Sequence, residues 1–367
     1  NKKSGWQGCN LTEINGGKCN TEEDFYKACR AASILGTLQA GYTDFKFLSD
    51  TSKKIFDREA LLGVSITGWM NNPDILFDEK ILQKGAEIVK EVNKEMAAII
   101  GINPAARTTC VKPSGNASVL LQTASGIHAE HSNMYIRNVQ MNKESEITQA
   151  IMKTNPYMVE DSVWSAGGTD VVVSFPILPK KGSMYKDDLL GVKHLELVKK
   201  AQKHWVEAGT NEDLCADKGV RHNVSNTIIV DNWEEVEKYV FENRHSFAGI
   251  SFLAMTGDKD YNQAPNTAVI TAKDMVKKYG NAAVFASGMV VDALKCFNNL
   301  WDACSTAKGF GEDLSLESSE NAMKRDWIRR FGKFADNYLK SDTLLAEHCL
   351  KDAYLLHKWN KICLLYT

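Results

Sequence analysis

At 367 residues the chain exceeds a usual single core of about 100–200 residues, although large α/β barrels run longer as one unit. Apolar residues make up 44% and charged residues 25%, which is ordinary for a globular protein with enough material for a large core. A formal net charge of −2 excludes a broad basic field for a nucleic-acid backbone or an anionic membrane surface, so any nucleotide is expected as a small molecule in a pocket. No apolar run approaches the roughly 20 residues of a membrane span.

In chain order, "TEEDFYKACRAASILGTLQAG" (Thr21–Gly41) has a Thr cap, early acids and apolar residues at helical spacing, and predicts a helix ending near Gly41. "LLGVSITG" (Leu61–Gly68) is a short β-branched run bounded by glycine, which is strand behaviour. "FDEKILQKGAEIVKEVNKEMAAIIG" (Phe77–Gly101) predicts a long amphipathic helix with Asp78 near its start. Further strands are predicted at Thr169–Ile177, Asn223–Val230 and Ala248–Met255, with helices at Leu195–Gly209 and Trp233–His245 between them. This alternation predicts an α/β architecture with parallel pairing. From about Thr271 the chain reads as mostly helical, including a polar helix after Ser319 and another through Leu355. No clear boundary separates the two parts, so residues 1–270 and 271–367 are expected to belong to one domain.

The nine cysteines are scattered, without the close pairs of a metal finger, and most are expected to be buried small hydrophobes in a cytoplasmic chain. Sequons at Asn10, Asn116 and Asn223 read as chance matches there. The first residue is Asn1 rather than Met, so further residues are expected upstream.

Within Thr108–His128, "RTTCV" reads as β-like, "KPSGNAS" breaks the chain, and "VLLQTA" can begin a helix. Such a break exposes successive backbone N–H groups at a helix start, where a phosphate is favoured. Ser114, Asn116 and Ser118 offer side-chain donors and Lys112 a charge. The alternative is a turn whose polar residues only cap the helix. No Walker pattern and no Rossmann fingerprint are present. Cys9, ahead of the β-like "CNLTEI", reads as a redox thiol or as packing. His128 and His131, with Glu130 between them, sit in a stretch whose Gly126 and Asn133 indicate a loop, so no metal site is expected.

Taken together and in this order, "CNLTEI" (Cys9–Ile14), "LLGVSITG", "TTCVKPSGNASVLLQTASGIH" (Thr108–His128), "VVVSFP" (Val171–Pro176), "HNVSNTIIV" (His222–Val230), "GISFL…YNQAP" (Gly249–Pro265) and "HCLKDAYLLHKWN" (His348–Asn360) resemble the catalytic subunit of ribonucleotide reductases. The nearest branch is the class II, adenosylcobalamin-dependent one. Ser251 and Phe252 stand where class I enzymes carry adjacent tyrosines, and no R-V-x-G-Y motif of class III occurs.

The resemblance implies part of a ten-stranded α/β barrel with a helical C-terminal portion. It implies that Pro113, Ser114, Gly115, Asn116 and Ala117 hold the phosphates of a ribonucleoside di- or triphosphate. It makes Cys9 one half of the cysteine pair that reduces the ribose, with Asn10 and Leu11 on the substrate side. The implied reaction is thiyl-radical reduction to 2′-deoxyribonucleotides with adenosylcobalamin as cofactor and a thioredoxin-like or dithiol reductant. No N-x-C-x-E radical motif is present in Asn1–Gly8, and Glu13 has the wrong spacing to be its carboxylate. The second cysteine of the pair is expected further upstream, and the chain ends at "LLYT" without a C-x-x-C tail. The isolated chain is therefore expected not to turn over. The alternatives are a non-catalytic nucleotide-binding half that needs an N-terminal fragment chain, and a glycyl-radical enzyme of related barrel fold.

Overall fold

The computed structural model describes residues 4–255, 263–279 and, except for 353, 357 and 361, residues 351–363. In chain order its elements are β1 (Asn10–Asn15), α1 (Glu22–Ala40), α2 (Asp50–Glu59), β2 (Leu62–Thr67), α3 (Pro73–Leu76), α4 (Glu79–Ile100), α5 (Gly115–Leu121), β3 (Tyr135–Asn142), α6 (Glu146–Thr154), β4 (Val159–Asp161), β5 (Asp170–Ile177), α7 (Gly191–Ala201), β6 (Thr227–Val230), α8 (Trp233–Glu242), β7 (Ser251–Ala254), β8 (Asn266–Ala268) and α9 (Ala272–Tyr279). They form two compact units. One contains residues 4–133 with 179–255, and the other residues 134–178 with the described residues from 263 on.

Local signals set the helix ends in the first unit. Thr21 caps α1 in a reciprocal box with Asp24, each side chain accepting from the other's backbone N–H. The Asp78 carboxylate accepts from the N–H groups of Lys80 and Ile81 at the start of α4, and Gly101 ends that helix at φ +75°. The Ser33 hydroxyl of α1 donates to the Val89 carbonyl of α4 at 2.8 Å, so the buried polar positions between these helices are satisfied.

β1 pairs in parallel with β2, and β6 with β7. The segment 107–111 joins the two pairs. Val64 N–H donates to the Thr108 carbonyl and Cys110 N–H to the Val64 carbonyl; on the other side Val111 N–H donates to Asn223 and Ser225 N–H to Val111. The result is one array of extended segments in the order β1, β2, 107–111, 223–230, β7, with parallel bridges at each join. Every residue of β2 is buried, as expected for a strand covered on both faces. The core beneath combines Phe25, Leu62, Val64, Ile66, Trp69 and Trp205, and the Phe25 and Trp205 rings lie 5.8 Å apart.

The expected helix over Leu195–Gly209 is α7 followed by a π-helical turn at Gln202–Glu207. That wider turn seats Trp205 so that its indole N–H donates to the Cys110 carbonyl at 3.0 Å, while the Thr109 hydroxyl donates to the Trp205 carbonyl at 2.6 Å. Gly209 follows because a Cβ there would fall 1.9 Å from the Thr109 hydroxyl.

The second unit corrects the expectation of parallel pairing throughout. Its sheet has the order β4-β5-β3-β8, and every pairing is antiparallel, with β5 registered from Tyr135↔Ile177 to Asn142↔Asp170 against β3. A β-branched run specifies a strand but not the direction of its neighbour. Val171, Val173, Met158 and Ile362 form one buried cluster here, and Ile136, Val269 and Trp359 another. The described residues of 351–363 are helical, as is α9. The helices expected between these two segments lie outside the described residues. Among the described residues the parallel array has five extended segments and no pairing that closes it, so the ten-stranded barrel expected from the resemblance is represented by this array alone.

Candidate active site

Alternation along β1 puts Cys9, Leu11 and Glu13 on one face of the array. Gly63 of β2 lies under the first two. A Cβ there would sit 2.5 Å from Leu11 Cδ2, 2.7 Å from Cys9 Sγ and 3.0 Å from Cys110 Sγ, so only glycine lets these side chains converge. Asn10 faces the other way, its amide donating to the Leu61 carbonyl at 3.0 Å, and so helps hold β1 in place. Cys9 is open to solvent on one side, but the protein crowded around it pushes its thiol up to about 11, and Lys112 opposes the shift. Cys110, fully within the sheet, is raised further by the same cause, burial.

The loop at Lys112–Ala117 lies at the C-terminal end of segment 107–111 and opens α5. Lys112 N–H donates to Ser65 Oγ at 2.9 Å, and Ser65 Oγ donates to Glu13 Oε1 at 3.2 Å. Ser125 Oγ donates to the Pro113 carbonyl, and Gly126 at φ +52° permits the close return, since a Cβ would lie 2.5 Å from the Lys112 carbonyl oxygen. Ser114 is left-handed at φ 57°, and its buried hydroxyl faces Glu13 without closing a well-formed hydrogen bond. Gly115 and Asn116 are exposed, and space is open in front of Gly115.

Glu13 is the residue that sequence reading set aside. Burial raises its carboxyl to about 7, against the opposing pull of Ser65, Ser114 and Lys112. A carboxyl titrating near neutrality beside an anion loop can give or take a proton at working pH. The four residues involved come from β1, β2 and the 112–114 loop, so no local motif marks them.

Three histidines brace the loop and the start of β1. His128 receives the Thr227 N–H on Nε2 at 3.0 Å, which leaves Nδ1 to donate to the Ser125 carbonyl at 2.9 Å. It therefore ties the loop's return to β6. His194 meets it edge-on at 6.0 Å, donates to the Ile127 carbonyl, and is lowered to about 4, first by burial and then by His128. His222 receives no mark from sequence beyond its place in "HNVSNTIIV". Its Nδ1 donates to the Thr109 carbonyl at 3.0 Å, and its Nε2 stands 3.9 Å from Cys9 Sγ. Among the described residues no group of three or more His, Cys, Asp or Glu is placed to hold a metal, and no helix is long and apolar enough to cross a membrane.

Three curated proteins are similar in sequence to part of this chain. "Probable adenosylcobalamin-dependent ribonucleoside-triphosphate reductase" of Dictyostelium discoideum is 27% identical over 54% of this chain and 26% of its own length. The adenosylcobalamin-dependent ribonucleoside-triphosphate reductases of Euglena gracilis and Lactobacillus acidophilus are 24% and 25% identical, each over 71% of this chain. The chain is a relative of these reductases. It spans 26–38% of the length of the relatives it matches. The crystal structure of a B12-dependent, class II ribonucleotide reductase superposes with a TM-score of 0.61 at 16% identity, over 72% of this chain and 39% of that one. The α/β fold is thus reductase-like. No protein-family model matches the chain.

Proposed function

We propose that the chain supplies the phosphate loop and one reducing cysteine of an adenosylcobalamin-dependent ribonucleoside-triphosphate reductase, which converts ribonucleotides to 2′-deoxyribonucleotides by thiyl-radical chemistry. The observation that carries this is the shared face of the array, where Cys9, Leu11 and Glu13 run toward Lys112 and the loop at Pro113–Ala117. That loop presents backbone N–H groups and Lys112 to an anion. Phosphates held there do not react, so their binding energy aligns the ribose over the sheet. Leu11 supplies an apolar floor. Glu13, titrating near 7, exchanges a proton with the ribose hydroxyls or the reducing thiols.

Cys9 gives electrons to the substrate and is left in a disulfide with a second cysteine, which a dithiol or thioredoxin-like reductant reopens. Its high pKa keeps it as the S–H form that this chemistry draws on. Adenosylcobalamin, when bound, would supply the radical-generating chemistry, while the residues of this chain bind and orient the substrate. The ten-stranded barrel, an N-terminal fragment carrying the radical cysteine, and a single domain spanning 1–270 and 271–367 belong to the same proposal.

The test is turnover in the chain completed with its native upstream sequence, adenosylcobalamin and a dithiol. Cys9→Ser is expected to keep triphosphate binding and lose multiple turnovers with dithiol reductants. Unchanged turnover would remove Cys9 from the reducing pair. Absence of deoxyribonucleotide from the completed native enzyme would remove the proposal.

A further inference from the structure

The cavity beside Cys9 lies within the first unit and holds about 260 Å³. Gln7, Cys9, Arg107, Arg221 and His222 are among the residues that line it. Arg107 is only 9% exposed. Its Nε donates to the Val220 carbonyl at 2.9 Å, which orients the guanidinium and leaves the Nη groups uncommitted. Among the described residues no carboxylate lies within 4.0 Å of it. Arg221, in contrast, is paired with Glu212 and donates to the Val220 carbonyl at 3.2 Å. The Nη groups of Arg107 therefore face the cavity with no counter-charge among the described residues, and an anion there gains a charge-assisted partner.

We infer that this cavity receives the anionic group of a small thiol or disulfide that exchanges with Cys9, with Arg107 as the docking cation and His222 as the positioning residue for the sulfur. The inference rests on the reading of Cys9 as a reducing thiol. The volume suits a carboxylate-bearing thiol and is below the roughly 300–1,000 Å³ of sites for larger ligands. His222 is fixed in one tautomer by the Thr109 carbonyl, so an unprotonated Nε2 faces Sγ at 3.9 Å. Burial first, then the charges of Arg107 and Lys112, hold its imidazole below the ordinary range. An anion on Arg107 weakens that field and lets Nε2 take the thiol proton.

With an anionic disulfide RS–SR, the Cys9–sulfur bond forms and the RS–SR bond breaks. The Cys9 proton passes by way of Nε2 to the departing RS⁻, giving Cys9–S–SR and RSH. In reverse, RSH breaks a disulfide at Cys9, a second RSH completes the reduction, and RS–SR leaves.

The test measures the rate of mixed-disulfide formation on the Cys9 peptide, by mass, with glutathione disulfide (anionic) and cystamine (cationic). The full native chain is expected to favour the anionic reagent by about tenfold at low salt, and the preference is expected to collapse in 1 M salt. Arg107→Gln is expected to abolish it, Arg107→Lys to retain part of it, and Arg221→Gln to retain most of it. Equal rates for the two reagents in the native chain would overturn the inference, as would a preference that survives in Arg107→Gln with native circular dichroism. Should Arg107→Gln not fold, a preference in the native chain that is indifferent to salt overturns it as well. The reductase reading stands or falls separately, because its readout is deoxyribonucleotide formation.

Discussion

The two units use the same strand-forming residues for different ends. In the first, the parallel segments and the loops and helix packed on them bring together Cys9, Glu13, Cys110, His128, His194 and His222, all with shifted titration. In the second, β5 is as β-branched as β2, but its antiparallel sheet borders an open cavity lined by Asn138, Gln140, Trp164, Val172, Gln263 and Pro265, with no charged side chain among the described residues. The Gln263 side chain there receives the Val163 N–H at 2.9 Å and donates to the Asp161 carbonyl at 2.7 Å, which serves the fold. Parallel strands all point their C-terminal ends the same way, so loops from distant parts of the chain meet at one place. Antiparallel strands alternate their ends and do not gather loops in this way.

The largest effect expected from breaking this contrast is in the first unit's core. Trp205→Ala removes a fully buried ring and the N–H that holds the Cys110 carbonyl, at a cost of about 3–5 kcal/mol. The denaturant midpoint checks it. The second unit's Val173→Ala deletes a smaller buried side chain, and its shift should be clearly the lesser of the two.

Next in size is Gly63→Ala. The added methyl meets Leu11 and two sulfurs, costs about 1–3 kcal/mol by overpacking, and displaces Cys9. Iodoacetamide labelling of Cys9, followed by peptide mass, should be slow at neutral pH in the native chain and rise toward pH 11; in the variant the labelling rate changes along with stability.

Smaller effects come from titration. Glu13 has a folded pKa near 7, above its unfolded value, so the folded state binds the extra proton. Stability from this group is full below about 4.5 and is lost as pH rises through 7. His194, folded near 4, has the opposite sign. Its contribution is full above about 6.5 and is lost as pH falls toward 4. The two slopes offset each other in the native chain. Urea midpoints of Glu13→Gln should rise more steeply between pH 4.5 and 7 than those of the native protein, and equal slopes would place Glu13 in water. The smallest effect is Ser114→Ala, whose hydroxyl has no firm partner, and stability should move by no more than about 0.5 kcal/mol.

What sequence made legible follows the range of the interactions. The capping box at Thr21, the Asp78 cap and the left-handed Gly101 are local, and their residues announce them. The strands at Leu61–Gly68, Asn223–Val230 and Ala248–Met255 were equally readable from composition. The direction of β5's neighbours was not, because pairing sense is decided by connections rather than by side chains. The π-turn at Gln202–Glu207 depends on Thr109, far away in sequence. Glu13 looked misplaced against a linear motif, yet across the sheet it meets Ser65, and the 112–114 loop completes its surroundings. Arg107 and His222 approach Cys9 only after 107–111 and 223–230 have joined the array.

The central claim is tested most directly by hydrogen exchange at the backbone amides of Ser114–Ser118, with and without a ribonucleoside triphosphate, and with the matching nucleoside as control. Protection of these amides by the triphosphate is expected, with little by the nucleoside and loss of the difference in Lys112→Gln. Protection that is equal for both ligands, or that falls outside the loop while the loop amides stay unchanged, would contradict it.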